Sequence, residues 1–406
     1  MIVRRSDGAL AGAGEGADER KARRIVHDRA GRPPVVVAAV RGRRAMTAFI
    51  TLPFRLYANE SCWVAPLISE RRRHLDRRRN PFFDHAEAEY FLARRGRRVV
   101  GRISAHTDRR FNAFQDNQWG LFGFFECEHD AEAAGALFDA AAGWLRARGH
   151  DLMVGPMDFT TNHECGLLVH GFDRRPQLLE NWHHPYYQRL LEGYGFEPAM
   201  DLLKWQILAA DHHRVRPVIY TLADRLEPVH GIRVRTMRKR NLTAEVRAFM
   251  EVYNAAWQRN WGFVPLTGRE FDHYAKELAP ILDEKWALVA ERGEEVVAVA
   301  LTLPDYNQVL VKLGGRLLPF GWLRLLRERR RIDEIRVFAL GVKPGLEHTG
   351  VAAALYANIW RTVQAHGITR AETGWVLETN RAMNSAMRSL GGDVVKRYRI
   401  YQTSLG

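Results

Sequence analysis

Cysteine is scarce in this 406-residue chain, where Cys62, Cys127 and Cys165 are the whole complement. Their number is odd and no two form a C-x-x-C pair. That argues against a disulfide framework and against the paired ligand spacing of a zinc site, so no metal is expected and free thiols in a cytoplasmic setting are. Long apolar runs are missing as well. No uninterrupted stretch is long enough to span a bilayer and the first residues hold no apolar h-region, so neither a membrane span nor a signal peptide is expected. Residues 1–33 also lack apolar periodicity, being rich in glycine, alanine, arginine and acids, which predicts a disordered tail. What the chain has in excess is positive charge, a formal +14 from 61 Lys and Arg against 47 Asp and Glu. Such a balance points to an anionic partner: a coenzyme, a lipid surface or nucleic acid.

The length suggests two domains, because single cores rarely grow past about 250–300 residues. Hydrophobic periodicity predicts the same order of elements twice. The first half reads as a strand at 35–40, a helix at 46–58, a hairpin at 88–106, a strand at 119–127, a helix at 131–148 and a strand at 151–155. The second reads as a strand at 232–237, helices at 243–258 and 268–282, a hairpin at 286–303, a strand at 335–342, a helix at 351–366 and a strand at 368–377. The expected division is a first domain over 34–210, a linker over 211–230 and a second domain over 231–406.

The most informative stretch is Ile335–Leu355: a β-branched apolar strand, then Lys343-Pro344, a short polar loop, and a helix opening at Gly350. Free N–H groups at a helix N-terminus, together with its dipole, bind phosphate without a charged side chain. An ordinary strand-to-helix turn, with Gly350 supplying a positive φ, is the plain alternative. Val342, Pro344, Glu347, Gly350 and Ala352 stand at the spacing of motif A of the GCN5-related N-acetyltransferases, which this stretch resembles. The segment Asn380 to Gly391 resembles their motif B. Two positions depart from the family pattern: Glu347 replaces a Gln or Arg, and Met387 replaces a tyrosine that often protonates the departing thiolate.

The resemblance implies an α/β (α+β) protein of tandem acyl-CoA N-acyltransferase (GNAT) folds, each a mixed, mostly antiparallel sheet flanked by helices. It implies a coenzyme A thioester as co-substrate, held by Leu340, Gly341, Val342, Glu347, His348, Thr349, Gly350, Val351, Ala352 and Asn380. In the first half the corresponding loop, Glu126–Asp130, is acidic and has no glycine, which suits a non-catalytic copy. A narrower likeness extends over residues 45–406, carried by phrases such as Asn260–Pro265, Leu303–Asn307, Gly374–Asn380 and Lys396–Tyr401. It is to a bacterial group of tandem acetyltransferase-fold proteins that includes the ceramide synthases, and it implies acylation of a sphingoid or similar lipid amine.

Amine attack on a thioester needs a neutral amine, a stabilised oxyanion and a proton for the thiolate. The expected base is a carboxylate at the strand ends, Glu378 ahead of Glu372. The expected acid is Tyr398, with Tyr401 behind it. Trp261 and Phe263 in an aromatic loop, and Asp305 and Asn307, are the expected acceptor-binding residues. Two segments stay open. The run Glu70–Asn80 reads as a solvated arginine face or an anionic membrane contact; without interleaved aromatics it does not read as a nucleic-acid site. The insert Gly314–Arg331 reads either as core or as a peripheral membrane wedge on the inner membrane. The polar cluster Thr160–Gly166 reads as a self-bonded loop. Two other functions remain: acetylation of a soluble amine, and a regulatory protein without catalysis.

Overall fold

The computed structural model describes residues 32–406. The tail expected over residues 1–33 falls, as far as residue 31, outside the described residues. In the first half the chain runs β1 (Val35–Ala39), α1 (Gly42–Leu56), α2 (Ile68–His74), β2 (Ala86–Arg95), β3 (Arg98–Asp108), α3 (Arg109–Gln115), β4 (Trp119–Cys127), α4 (Ala131–Arg146), β5 (Leu152–Gly155), β6 (Leu167–His170), α5 (Tyr186–Glu192) and β7 (Glu197–Leu208). In the second it runs α6 (Val218–His230), β8 (Ile232–Thr236), α7 (Leu242–Trp257), α8 (Gly268–Leu278), β9 (Ala287–Arg292), β10 (Glu295–Pro304), α9 (Asn307–Leu310), α10 (Gly321–Glu328), β11 (Glu334–Val342), α11 (Val351–Ala365), β12 (Arg370–Thr373), β13 (Val376–Leu377), α12 (Arg381–Ser389) and β14 (Asp393–Ser404).

Each half repeats one plan. Strands β1–β4 pair antiparallel in sequence order, then β4 crosses over through α4 to the parallel β5. Strands β8–β11 do the same, and β11 crosses through α11 to the parallel β12. Sequence explains the helices between. The buried stripe Leu137, Phe138, Ala141 and Leu145 seats α4 on the sheet, and Val351, Leu355, Ile359 and Val363 seat α11.

The halves join in one sheet, in the order β1-β2-β3-β4-β5-β14-β7-β12-β11-β10-β9-β8. Strand β14, from the second half, lies beside β5 of the first, and β7, from the first half, lies beside β12 of the second. The two also pair with each other, so each half lends its last strand to the other's end of the sheet. The segment 211–230 holds α6, whose buried Ile219 and Leu226 pack into the core shared with α11.

The strand expected over 368–377 is broken. β12 stops at Thr373, Gly374 and Trp375 turn away, and only Val376 and Leu377 resume pairing, on β7. The insert 314–331 does not pack as core: Leu318, Phe320, Trp322, Leu323 and Leu326 are exposed.

Candidate active site

The parallel strands β11 and β12 stay paired from Glu334 and Arg370 to Val337 and Thr373, and then they part. The last bond across is Gly374 N–H to the Val337 carbonyl. The cause on β11 is a bulge: Leu301 pairs with Ala339 but Thr302 with Val337, leaving Phe338 as the extra residue. Beyond it, Lys343 N–H reaches Val297 on β10. Alternation along a strand then turns Gly341 N–H toward β10, and the N–H groups of Leu340 and Val342 toward the opened side. A side chain at Gly341 would meet the Trp257 indole at 2.3 Å, so α7 lies directly on the strand there.

The strand leads straight into the expected cradle. Gly350 has φ +84° and forms the N-cap of α11, with no side chain capping it. The first N–H groups of that helix point outward with the positive end of its dipole, and Val351 N–H has only a long bond to Thr349 Oγ1, at 3.4 Å. Glu347 and His348 are exposed, and Glu347 Oε2 accepts the Gly345 N–H at 2.9 Å, taking a loop donor for itself. Thr349 Oγ1 donates to the Leu346 carbonyl. Val351 is buried and Ala352 half-buried at the start of the helix. Asn380 caps α12, its side chain accepting the Met383 N–H. Met387 is fully buried.

The first half carries the same devices, closed. Arg102 pairs with Glu126 and Ser104 with Gly123, so β4 has its own bulge around Phe124, whose φ is +49°. The loop after β5 fills the gap: Asp158 Oδ1 accepts the Phe124 N–H at 2.8 Å, and a side chain at Gly123 would strike the Met157 carbonyl. Helix α4 is capped by Asp130, which also pairs with Arg95. An anion would meet a carboxylate at that helix start.

At the foot of the second half's split lies a buried ionic cluster that the sequence did not suggest. Arg336, Lys204, Lys396, Glu180 and Glu372 come from β11, β7, β14, the loop before α5 and β12, and their side chains are all 2% exposed or less. Lys396 Nζ lies 2.8 Å from Glu372 Oε2, and Lys204 contacts both Glu180 and the Thr373 carbonyl. Arg336 donates to the carbonyls of Leu178 and Leu179 and stands about equally over the rings of Phe338 and Trp375, at 5.2 and 5.3 Å. Leu179 adopts φ +62°, a strained backbone for a leucine, in presenting its carbonyl. Burial alone would raise the Glu180 carboxyl, but Lys204, Lys396 and Arg336 outweigh it and hold it well below the usual range. Asp305, buried and near enough to act on Lys396, adds a third carboxyl at the cluster's edge, and burial lowers Lys204 to about 8. Trp375 Nε1 is buried there without a hydrogen-bond partner among the described residues, and Arg336 Nε, which makes no hydrogen bond, faces only Glu180, at 3.6 Å. Donors left so at the mouth of a gap are where an acceptor atom of a bound substrate fits.

The other expected residues divide. Tyr398 joins the cluster's edge, buried, with its hydroxyl donating to the Asn181 carbonyl; burial and then Glu180 push its pKa well up. Tyr401 donates to Glu192. Glu378 is exposed and accepts the Asp201 N–H, away from the cluster. Asp305 accepts the N–H of Leu178 and Asn307 donates to the Pro176 carbonyl, so both grip the loop that feeds Glu180. Burial, then the charge of Glu334, raises Asp305 to about 7. Trp261 and Phe263 lie between the halves, on Trp119 and Phe114.

Thr160–Gly166 is bonded both to itself and across the halves. His163 accepts or donates at Thr160 Oγ1 and at the Tyr274 hydroxyl, and Asn162 bonds Val264 and Tyr253. Burial keeps the Cys165 thiol protonated and lowers His163 to about 4, which is the opposite of an activated thiol pair. Of the arginine run, Arg71 is not solvated but half-buried against Glu164 and Asp158.

No protein-family model matches the chain. It is 35% identical over 376 residues to the bacterial ceramide synthase of Caulobacter vibrioides strain NA1000, covering 91% of this chain and 97% of that protein. It is 30% identical over 366 residues to protein YghO of Escherichia coli K12, covering 89% and 93%. Among solved structures, a tandem GNAT protein from the clavulanic acid biosynthesis pathway superposes with a TM-score of 0.54 at 11% identity, over 92% of this chain and 99% of its own. A GCN5-related N-acetyltransferase from Sphaerobacter thermophilus does so with a TM-score of 0.51 at 14% identity, over 91% and 96%.

Proposed function

The chain belongs to the family of the bacterial ceramide synthases, N-acyltransferases of tandem GNAT fold, and from that premise we propose that it moves a long-chain acyl group from coenzyme A to a sphingoid or similar lipid amine at a membrane surface. One observation carries the reading: the split at Phe338 and the uncapped start of α11 lie on one continuous strand–loop–helix, while the first half has both features plugged by Asp158 and Asp130.

In this reading the pyrophosphate sits on the N–H groups at Gly350–Ala352. The thioester lies along β11, its carbonyl oxygen meeting the N–H groups of Leu340 or Val342 as it becomes an oxyanion. The cationic side of the cluster beneath the gap, Arg336 foremost, has two effects. It favours the developing oxyanion, and it disfavours an ammonium beside it, so the acceptor is delivered as the neutral nucleophile. The new C–N bond forms as the C–S bond breaks, and the proton lost by the amine balances the one the thiolate gains. Glu372 suits the relay of that proton better than Glu378, because its strand partner is Arg336, one step before the split. Transfer to a soluble amine is the competing reading. It calls for the insert to lie in the core, and its exposure favours a lipid instead.

Thiol release from palmitoyl-CoA and acetyl-CoA, each with and without sphinganine, tests the proposal. Release is expected with the long chain and only when the amine is present, and it is lost in Gly350→Trp protein that melts as a folded chain. Equal release with acetyl-CoA and a water-soluble amine would replace the lipid reading.

A further inference from the structure

Five of the eleven large apolar side chains exposed among the described residues crowd into nine positions: Leu318, Phe320, Trp322, Leu323 and Leu326, between 45% and 77% exposed. Scattered apolar residues on a surface need no explanation, but a concentration of this kind does. Four exposed arginines, Arg327, Arg329, Arg330 and Arg331, follow it at once. None of the four has an acidic partner within salt-bridge distance among the described residues, whereas the neighbouring Arg324 and Lys312 are both satisfied by Glu328. Apolar side chains backed by unpaired cations match the two layers of an anionic bilayer, acyl interior and phosphate headgroup.

The insert is anchored to the protein, not loose upon it. Gly315 lies against the Phe54 ring and the Pro66 carbonyl, and its own carbonyl accepts the Ile68 N–H. Contact there brings it to α2, where Arg72 and Arg73 are also exposed, which extends the basic rim.

Its place along β11 gives it a purpose. The cradle at Gly350 follows the C-terminal end of that strand, the Phe338 bulge lies in its middle, and the insert enters at its N-terminal end, roughly 26 Å from Val342 at about 3.3 Å per residue. A thioester lying along the strand with its pyrophosphate at α11 therefore directs its alkyl chain toward the insert.

We propose that Leu318–Arg331 is a docking wedge that seats the protein on an anionic phospholipid membrane and opens the acyl end of the site to the lipid phase. Its purpose rests on the lipid-amine reading above; its existence does not.

The test is co-sedimentation of the full chain with vesicles of phosphatidylcholine alone or mixed with phosphatidylglycerol, at low and high salt. The wild-type protein is expected to partition to the anionic vesicles and to be partly released by salt. Phe320→Ser with Leu323→Ser should lower the partition about tenfold or more, and Arg329, Arg330 and Arg331→Gln together should remove its salt sensitivity. Both variants should keep the wild-type melting temperature and, with palmitoyl-CoA and sphinganine presented in neutral detergent micelles, the wild-type thiol release. Wild-type protein that stays in the supernatant with both vesicle types overturns the proposal, as do variants that bind like wild type. A concentration-dependent dimer by light scattering, abolished by the apolar variant, would also overturn it by giving the patch to a second copy of the chain. Vesicle binding without thiol release from any substrate would leave the wedge standing and sink the lipid-amine reading.

Discussion

Glu372 and Glu378 are close in sequence and differ in almost every physical respect. The first is fully buried on β12, held by Lys396 and Gln206, and the second is exposed, with only a long contact to Asp201 N–H. If the amine proton passes through the cluster, Glu372→Gln should lower kcat by about a hundredfold or more, while Glu378→Gln stays within a few-fold of wild type. The opposite ranking, measured by steady-state thiol release, would move the relay to the protein surface. Gly341 is a second residue-scale test. A valine there must displace the Trp257 indole or the strand, at a cost of about 1–3 kcal/mol in urea denaturation. Sequence reasoning could name Glu372 because a carboxylate inside an apolar strand is visible by itself. It could not name Lys204, Lys396 or Glu180, because what makes them matter is partners brought from distant strands by the sheet order.

At the scale of elements, the stretches read best were those that form locally. The helix at 131–148 was legible from its apolar stripe and appears as Ala131–Arg146, and the strand at 335–342 appears as Glu334–Val342. A bulge leaves little trace of this kind, since Phe338 reads simply as one more apolar strand residue. The split of β11 from β12, on which the candidate chemistry depends, was therefore not readable from the residues themselves; the family resemblance alone implied N–H groups splayed out around Leu340–Val342, and the strand at 368–377 was expected unbroken. The insert shows the opposite limit. Its amphipathic pattern suits core and surface alike, and only its packing decides between them.

At the scale of the whole molecule, His85 ties the halves together. Its Nδ1 lies 2.9 Å from Asp108 on the first half's β3 and its Nε2 lies 3.1 Å from Glu270 on α8, which Arg110 also approaches at 3.4 Å. Burial works against the charged ring, but the hydrogen bonds to both carboxylates outweigh it and raise its pKa to about 9. A folded-state pKa above the unfolded value means that the imidazolium contributes stability in full below about pH 6.5 and loses it as pH rises through about 9. The difference in melting temperature between wild type and His85→Gln should therefore be largest near pH 6 and shrink steadily toward pH 9. A difference that is flat across that range would mean the ring is neutral and only packs. The crossing of β7 and β14 has a consequence of another kind, in time. As the ribosome extends the chain, β5 emerges with no neighbour on its far side, and more than half of the chain must still be made before β14 arrives to cover it. At about 5–20 residues per second that interval is on the order of ten seconds or longer. The nascent first half must wait it out with a bare strand edge, so the two halves finish folding together and the first half is most open to wrong pairing while the second is still being made.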